Sequence, residues 1–494
     1  MANYNAAADL IGRNLAAGRG AKTAVIDSRG IHSYADLDAA TSRFAHALGT
    51  LGIRREERIL LCLNDTADFH TCFLGAIRAG VVPVPVNTRL IQDDYAFMLR
   101  DSRAQAAFVS GNLAPVFTSL HDRVILDGAE LAQLIGNESA AFPPAHTVED
   151  EMCFWLYTSG TTGLPKGAVH LHGDMARTAA LYAGPTLGVT EDDVLFSAAK
   201  LFFAYGLGNG LTFPMAAGAA SVLLEGPPEP EPVCRLLRQA RPTIFFGVPT
   251  LFAMLLASGE VPGPGAHALR LAVSAGEALP PEILRRWQEA VGVDILDGLG
   301  STEMLHIFIT NRVGDIVPGT SGRPVEGYDV RLVDDDDQVI EEPDALGALE
   351  VKGPTSAVFY WNRRARSVET FRGAWTRTGD KYVRDENGVY AFAGRADDML
   401  KVGGIYVSPF EVEGALLKHE AVLEAAVVGA EDPDGLTKPK AFVVLQEGGT
   451  ASARELQDFV RGQLAAYKYP RWVEFVDELP KTATGKIQRY KLRA

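Results

Sequence analysis

The residues best suited to chemistry lie in one run, Tyr157 to Gly167, which reads YTSGTTGLPKG and follows the apolar segment Met152 to Leu156. Four hydroxyl residues, Thr158, Ser159, Thr161 and Thr162, alternate with Gly160 and Gly163, and the run closes on Lys166 and Gly167. Glycines let a backbone approach a ligand closely, while N–H groups, hydroxyls and an ammonium are the donors a polyphosphate requires. The pattern reads as a phosphate loop. It differs from the Walker type, in which the lysine precedes a Ser or Thr that holds magnesium, because Gly167 follows Lys166 here.

Three further segments carry groups of the same kind. DGLGSTEM (Asp297 to Met304) sets Thr302 beside Glu303, a hydroxyl suited to a phosphate oxygen next to a carboxylate suited to a magnesium ion. WTRTGD ends on Asp380, and GRADDMLKVGG begins at Gly394 with Arg395; these supply a carboxylate and a cation. The chain finishes with LPKTATGKIQRYKL, in which Lys486 follows Gly485. Such a cation would stabilise charge building on phosphate oxygens.

Together these motifs resemble the adenylate-forming enzymes, which include acyl- and aryl-CoA ligases, carrier-protein-loading adenylation domains and luciferases. Within them KLFFAYGLGNG (Lys200 to Gly210) closely resembles the benzoate-CoA ligase branch and related aryl-CoA ligases such as anthranilate-CoA ligase. The resemblance extends over nearly the whole chain and implies an enzyme that uses ATP, Mg2+ and coenzyme A. It implies that Thr158 to Gly163, Lys166 and Thr302 grip phosphates, that Glu303 holds the metal, and that Lys486 catalyses adenylation. Ala275, Gly276 and Glu277, with Asp297 and Gly298, would flank the adenine, and Asp380 and Arg395 would meet the ribose or phosphate. Phe203, Ala204, Tyr205 and Phe246 would wall the acyl pocket. Gly298 and Gly300 would open space for a flat ring, and His306 would bond a polar ring substituent or simply pack. Leu299 departs from the family, standing where an aromatic residue is frequent. Asp397 matches the hinge, and Lys401, Gly403 and Gly404 would approach coenzyme A after domain rotation. Lys468 and Arg471 suit its nucleotide end or plain solvation equally.

The elements that must position these groups read as an α/β protein. The expectation is a large N-terminal body of several subdomains, residues 1–396, followed by a small mobile α+β domain, residues 397–494. Apolar positions at helical spacing after Ser33 predict a helix over Tyr34 to Leu51. Strands are expected at Ile59 to Leu63, Val81 to Val86 and Ala106 to Ser110, with a helix near Ala67 to Ala79 between the first two. Thr243 to Leu255 and Leu269 to Leu284 each read as a strand, a turn and a helix, and ligands of such sheets bind beyond the strands' carboxyl ends.

Length, charge and cysteines set the outer bounds. At 494 residues the chain exceeds one ordinary domain, and a net charge of −15 opposes nucleic-acid binding. Cys62, Cys72, Cys153 and Cys234 have no zinc-ligand spacing, which fits a reducing, cytoplasmic setting. No charge appears between Lys200 and Glu225, yet its glycines, Asn209 and Pro214 read as enzyme interior with a strand at Ser221 to Leu224, not as a membrane span. His170 and His172 read as structural, and Asp334 to Asp337 as a solvated hairpin turn. The small glycines with Phe203, Tyr205 and Phe246 suggest a short, flat, mostly apolar slot. The resulting reading is activation of benzoate, 2-aminobenzoate or a hydroxybenzoate and transfer to coenzyme A. The alternatives are carrier-protein loading and a medium-chain fatty acyl-CoA ligase, and a homodimer is left open.

Overall fold

In the computed structural model, the described residues are 2–158, 165–395, 398–402, 405–433, 436–465, 467–481 and 487–493; the side chains of Lys401, Ile405, Tyr406 and Tyr490 also lie outside the description. Nine strands form the main sheet, in the order Arg323–Pro324, Ile307–Thr310, Ile295–Gly300, Leu271–Ala275, Ile244–Gly247, Val194–Ser197, Ala220–Val222, Thr23–Asp27 and Gly30–Ser33. From Ile295–Gly300 to Thr23–Asp27 every pairing is parallel, and antiparallel strands close both sides. The buried runs of Val, Ile, Leu and Phe in these strands follow from helices covering both faces.

A second sheet of four parallel strands joins Val82–Pro85, Arg58–Cys62, Ala107–Val109 and Val124–Leu126. The helices between them form where expected. Ser33 caps Tyr34–Thr50 through a reciprocal box with Asp36, a device worth about 1 kcal/mol. Pro249 and Pro281 open the helices Pro249–Ser258 and Pro281–Val291, where a missing N–H costs nothing.

Met152–Thr158 and Lys166–Leu171 make an antiparallel hairpin whose Trp155 is fully buried and stacks on Trp361 at 4.5 Å. A third, antiparallel sheet contains Asp329–Val333, Gly347–Lys352, Trp375–Arg384, Phe371–Arg372 and Tyr390–Arg395. Asp334 accepts the N–H groups of Asp336 and Gln338 and so folds the acidic run into a turn, with Asp337 paired to Arg372.

Beyond Leu400 the chain builds its own core. Leu400, Val407, Val412, Leu416, Val427, Val443 and Leu456 cluster with one another and with no residue of the preceding sheets. Here Val422–Glu431, Thr437–Leu445 and Trp472–Phe475 form a sheet packed by Pro409–Leu416 and Ala453–Arg461.

The uncharged stretch after Lys200 lies inside the large body as helical turns, Ala204–Leu207, Gly208–Thr212 and Phe213–Ala217. Its strand is Ala220–Val222, one residue earlier than anticipated: the Leu223 N–H still reaches Ile26, but the partner strand ends at Asp27 and Leu224 leaves the sheet. Among the described residues no helix is long and apolar enough to cross a membrane.

Candidate active site

The strands Ile244–Gly247, Leu271–Ala275 and Ile295–Gly300 end side by side, and their ends with the turns after them hold Phe246, Ala275, Gly276, Glu277, Asp297, Gly298, Gly300, Thr302, Glu303 and His306. Ala275 finishes its strand, and Gly276 takes φ 94°, a conformation that a side chain would strain. Glu277 follows and accepts from the Thr250 hydroxyl at 3.1 Å and from the Ile487 N–H at 3.3 Å. The second contact brings the carboxyl-terminal segment against this turn. Ile487 also bridges to Lys481, and Arg489 forks onto Glu413 at 2.8 and 2.9 Å.

The hairpin approaches the same region from the other side. Thr158 pairs with Lys166 at its open end. Ser159, Gly160, Thr161, Thr162 and Gly163 lie outside the described residues, as do Asp397, Gly403, Gly404 and Lys486 and the side chain of Lys401. The Lys166 ammonium sits 4.4 Å from the centroid of the Tyr360 ring. Burial lowers its pKa, and the nearby Glu303 carboxylate opposes that shift.

Glu303 accepts the Tyr360 hydroxyl at 2.5 Å, and its carbonyl accepts the Ala357 N–H at 2.7 Å. The Thr302 carbonyl accepts His170 Nε2–H at 2.8 Å, while the other nitrogen of that ring faces Asp174 at 3.2 Å. His172 accepts the Ala6 N–H, and burial depresses its pKa to about 4. His170 is thus part of the scaffold beneath Thr302, and His172 ties the first helix to the start of the helix His172–Thr178.

The acyl-wall residues gather around a second centre. Tyr205 donates its hydroxyl to the Val273 carbonyl at 3.0 Å, and its ring lies 6.2 Å from Phe246 and 5.5 Å from His306. Phe203 and Ala204 begin the helical turn just before it. His306 is 2% exposed, enclosed by Tyr182, Tyr205 and Phe213, with Nε2 3.0 Å from Asn209 Oδ1. Burial pulls its pKa down to about 3, so the ring is neutral. Of the two roles left open for it, packing is the one with visible partners. Lys200, just upstream, donates to the carbonyls of Leu224 and Gly226 and faces the buried Asp65 at 3.8 Å, which fixes the root of this wall.

Several of the expected site residues also have structural partners. A Cβ at Gly300 would lie 2.7 Å from the His306 carbonyl oxygen, and one at Gly298 would lie 2.9 Å from Ile307. These glycines admit the neighbouring strand Ile307–Thr310. Asp297 is 5% exposed and accepts the Leu279 N–H at 3.3 Å through one carboxylate oxygen, which ties it to the turn after Gly276. Burial raises its pKa well above the carboxylate range. Asp380 and Arg395, expected to share one ligand, also pair with each other at 2.9 Å across adjacent strands. Lys468 is held by Glu411 at 2.6 Å and Arg471 stacks on Tyr469, so both have local structural work. A surface cleft of about 680 Å3 bounded by Asp329, Lys352, Pro354 and Phe371 contains none of the anticipated residues.

Tyr360, hydrogen-bonded to Glu303, and Arg395, a charge neighbour of Lys166, stand beside these two groups. Sequence reasoning missed Tyr360; its only signal was the run VFYW following a strand-like segment.

Comparison with known proteins agrees with this geometry. Residues 13–361 match the AMP-binding enzyme model, and residues 411–486 match the AMP-binding enzyme C-terminal domain. A benzoate–CoA ligase of Thauera aromatica is 56% identical over 505 residues, covering 99% of this chain and 96% of that protein. The crystal structure of a benzoate CoA ligase from Burkholderia xenovorans LB400 superposes with a TM-score of 0.95 at 49% identity, covering 99% of this chain and all of that one. An anthranilate CoA ligase solved with anthranoyl-AMP gives a TM-score of 0.95 at 41% identity, covering 100% of this chain and 97% of that one. The chain belongs to the AMP-binding enzyme family, with the adenylate-forming fold of a large N-terminal and a smaller C-terminal domain.

Proposed function

We propose that the protein is an ATP-dependent aryl-CoA ligase acting on benzoate or a substituted benzoate, 2-aminobenzoate or a hydroxybenzoate. The observation that carries this reading is the neutral aromatic wall of Tyr205, Phe246 and His306 set at the strand ends beside Thr302 and Glu303. Such a wall suits a flat apolar ring and leaves the acid's own carboxylate to the cations at the phosphate side.

In the first step a carboxylate oxygen of the acid attacks the α-phosphorus of ATP; the new O–P bond forms as the bond to the β-phosphate oxygen breaks and pyrophosphate leaves. Lys166, Thr158 to Gly163 and Thr302 bind the phosphates, and Lys486 offsets charge on the α-phosphate oxygens. The contact between Ile487 and Glu277 supports that place for Lys486, since it holds the adjacent residue at the Ala275–Glu277 turn. A magnesium ion needs hard oxygen ligands, and the half-buried Glu303 carboxylate beside Lys166 fits that need. When bound, the ion would neutralise phosphate charge.

In the second step the coenzyme A thiol attacks the acyl carbonyl; the C–S bond forms, the C–O bond to AMP breaks, and AMP departs. We assign residues 1–396 and 397–494 as the two domains, Asp397 as the hinge, and Lys401, Gly403 and Gly404 as the loop brought to the thiol. The separate core that starts at Leu400 supports a boundary there. The buried, unpaired cysteines fit a cytoplasmic setting. The test is quantitation of AMP and aroyl-CoA from ATP, coenzyme A and a panel of aryl acids, with equal yields expected from the preferred acid.

A further inference from the structure

Residues 355–361 stitch together pieces of the site that are far apart in the chain. The Thr355 hydroxyl donates to the Met304 carbonyl at 2.8 Å, and the Ala357 N–H donates to Glu303. Val358 N–H and Phe359 O each bond Val169 at 3.0 Å, and Trp361 N–H reaches the Gly167 carbonyl at 2.8 Å. One extended segment is therefore tied both to the Glu303 turn and to the strand that starts at Lys166. At its centre Tyr360 is 3% exposed, packed at 5.1 Å on Phe371, with its hydroxyl on Glu303 and its ring face under the Lys166 ammonium.

We propose that Tyr360 is a positioning residue for metal-bound ATP, holding the Glu303 carboxylate with its hydroxyl and the Lys166 ammonium with its ring. The inference rests on the reading of Glu303 and Lys166 as metal and phosphate ligands. A carboxylate that accepts a fixed O–H is restricted in rotation and keeps its other lone pairs for a cation, and such outer contacts tune metal affinity 10- to 100-fold. A cation over an aromatic face is held without losing its N–H donors to another acceptor, so Lys166 remains able to meet a phosphate.

Two variants separate the parts. Tyr360→Phe removes the hydroxyl and keeps the ring; Tyr360→Leu removes both. Without acid or coenzyme A, binding of Mn2+ in the presence of ATP is followed by electron paramagnetic resonance, and binding of ATP alone by calorimetry. Tyr360→Phe should weaken Mn2+ binding about tenfold and leave metal-free ATP binding within about twofold, whereas Tyr360→Leu should weaken both. Thioester formation from supplied benzoyl-adenylate should persist in each variant, which also reports that the fold is intact. Mn2+ binding by Tyr360→Phe within twofold of wild type would overturn the inference. So would equal loss of metal binding and of the thioester step, which would make Tyr360 a packing residue only. If the unmodified protein bound neither ATP nor Mn2+ with ATP, the reading of Glu303 and Lys166 would itself fail.

Discussion

Replacing His306 by glutamine should flatten the acid side of the stability profile by a calculable amount. The ring is enclosed by Tyr182, Tyr205 and Phe213, and burial draws its folded pKa from 6.5 to about 3. The unfolded chain accepts a proton below pH 6.5 that the folded protein refuses. Stability from the neutral ring is therefore complete above that pH and is lost progressively as pH falls toward 3. Between pH 7 and pH 5, linkage gives a loss of about 2 kcal/mol from this group alone. His70, pulled down to about 4 by burial, acts in the same direction, and Asp65, pushed up to about 6 by burial, acts in the opposite one. Both are shared by wild type and variant and cancel in the difference.

The assay is urea unfolding at pH 7 and pH 5, read by fluorescence of Trp155, Trp287, Trp361 and Trp375, all in the large body. His306→Gln should start about 1–3 kcal/mol lower at pH 7, from lost ring packing and the lost bond to Asn209. Its further fall to pH 5 should be smaller than that of wild type by about 2 kcal/mol. Equal falls would refute the picture of an enclosed, unprotonated ring at the acyl wall.

Other perturbations probe the division of labour. Lys486→Ala should slow adenylate formation by about 100-fold or more while sparing thioester formation from supplied adenylate, measured by pyrophosphate release and by aroyl-CoA yield. Tyr205→Ala should change the order of preferred acids in a kcat/KM panel while leaving the ATP KM within about twofold. Gly208→Ala would place a Cβ 2.4 Å from His306 Cδ2, so it should cost about 1–3 kcal/mol in denaturant unfolding and shift acid preference with it.

The chain announces its local features and conceals its pairings. Ser33 with its helix and Pro249 at a helix start each act within a few residues, and the helix and the strand–helix unit appear where expected. Gly298 and Gly300 read in the sequence only as space for a flat ring, and the strand Ile307–Thr310 that packs against them has no signal there. Asp297 and the Asp380–Arg395 pair depend likewise on which strands lie side by side. Tyr360 was illegible for the same reason: it meets Glu303 across 57 positions. Nothing in VFYW distinguishes that contact from an ordinary buried strand.

The most direct measurement is simultaneous quantitation of AMP and acyl-CoA from ATP, magnesium and coenzyme A, with benzoate, 2-aminobenzoate, hydroxybenzoates, hexanoate and a long-chain fatty acid in parallel. The account predicts one small aryl acid strongly preferred, with AMP and its thioester formed in equal amounts. Pyrophosphate released with no thioester, hexanoate preferred over every aryl acid, or no turnover with any acid would contradict it.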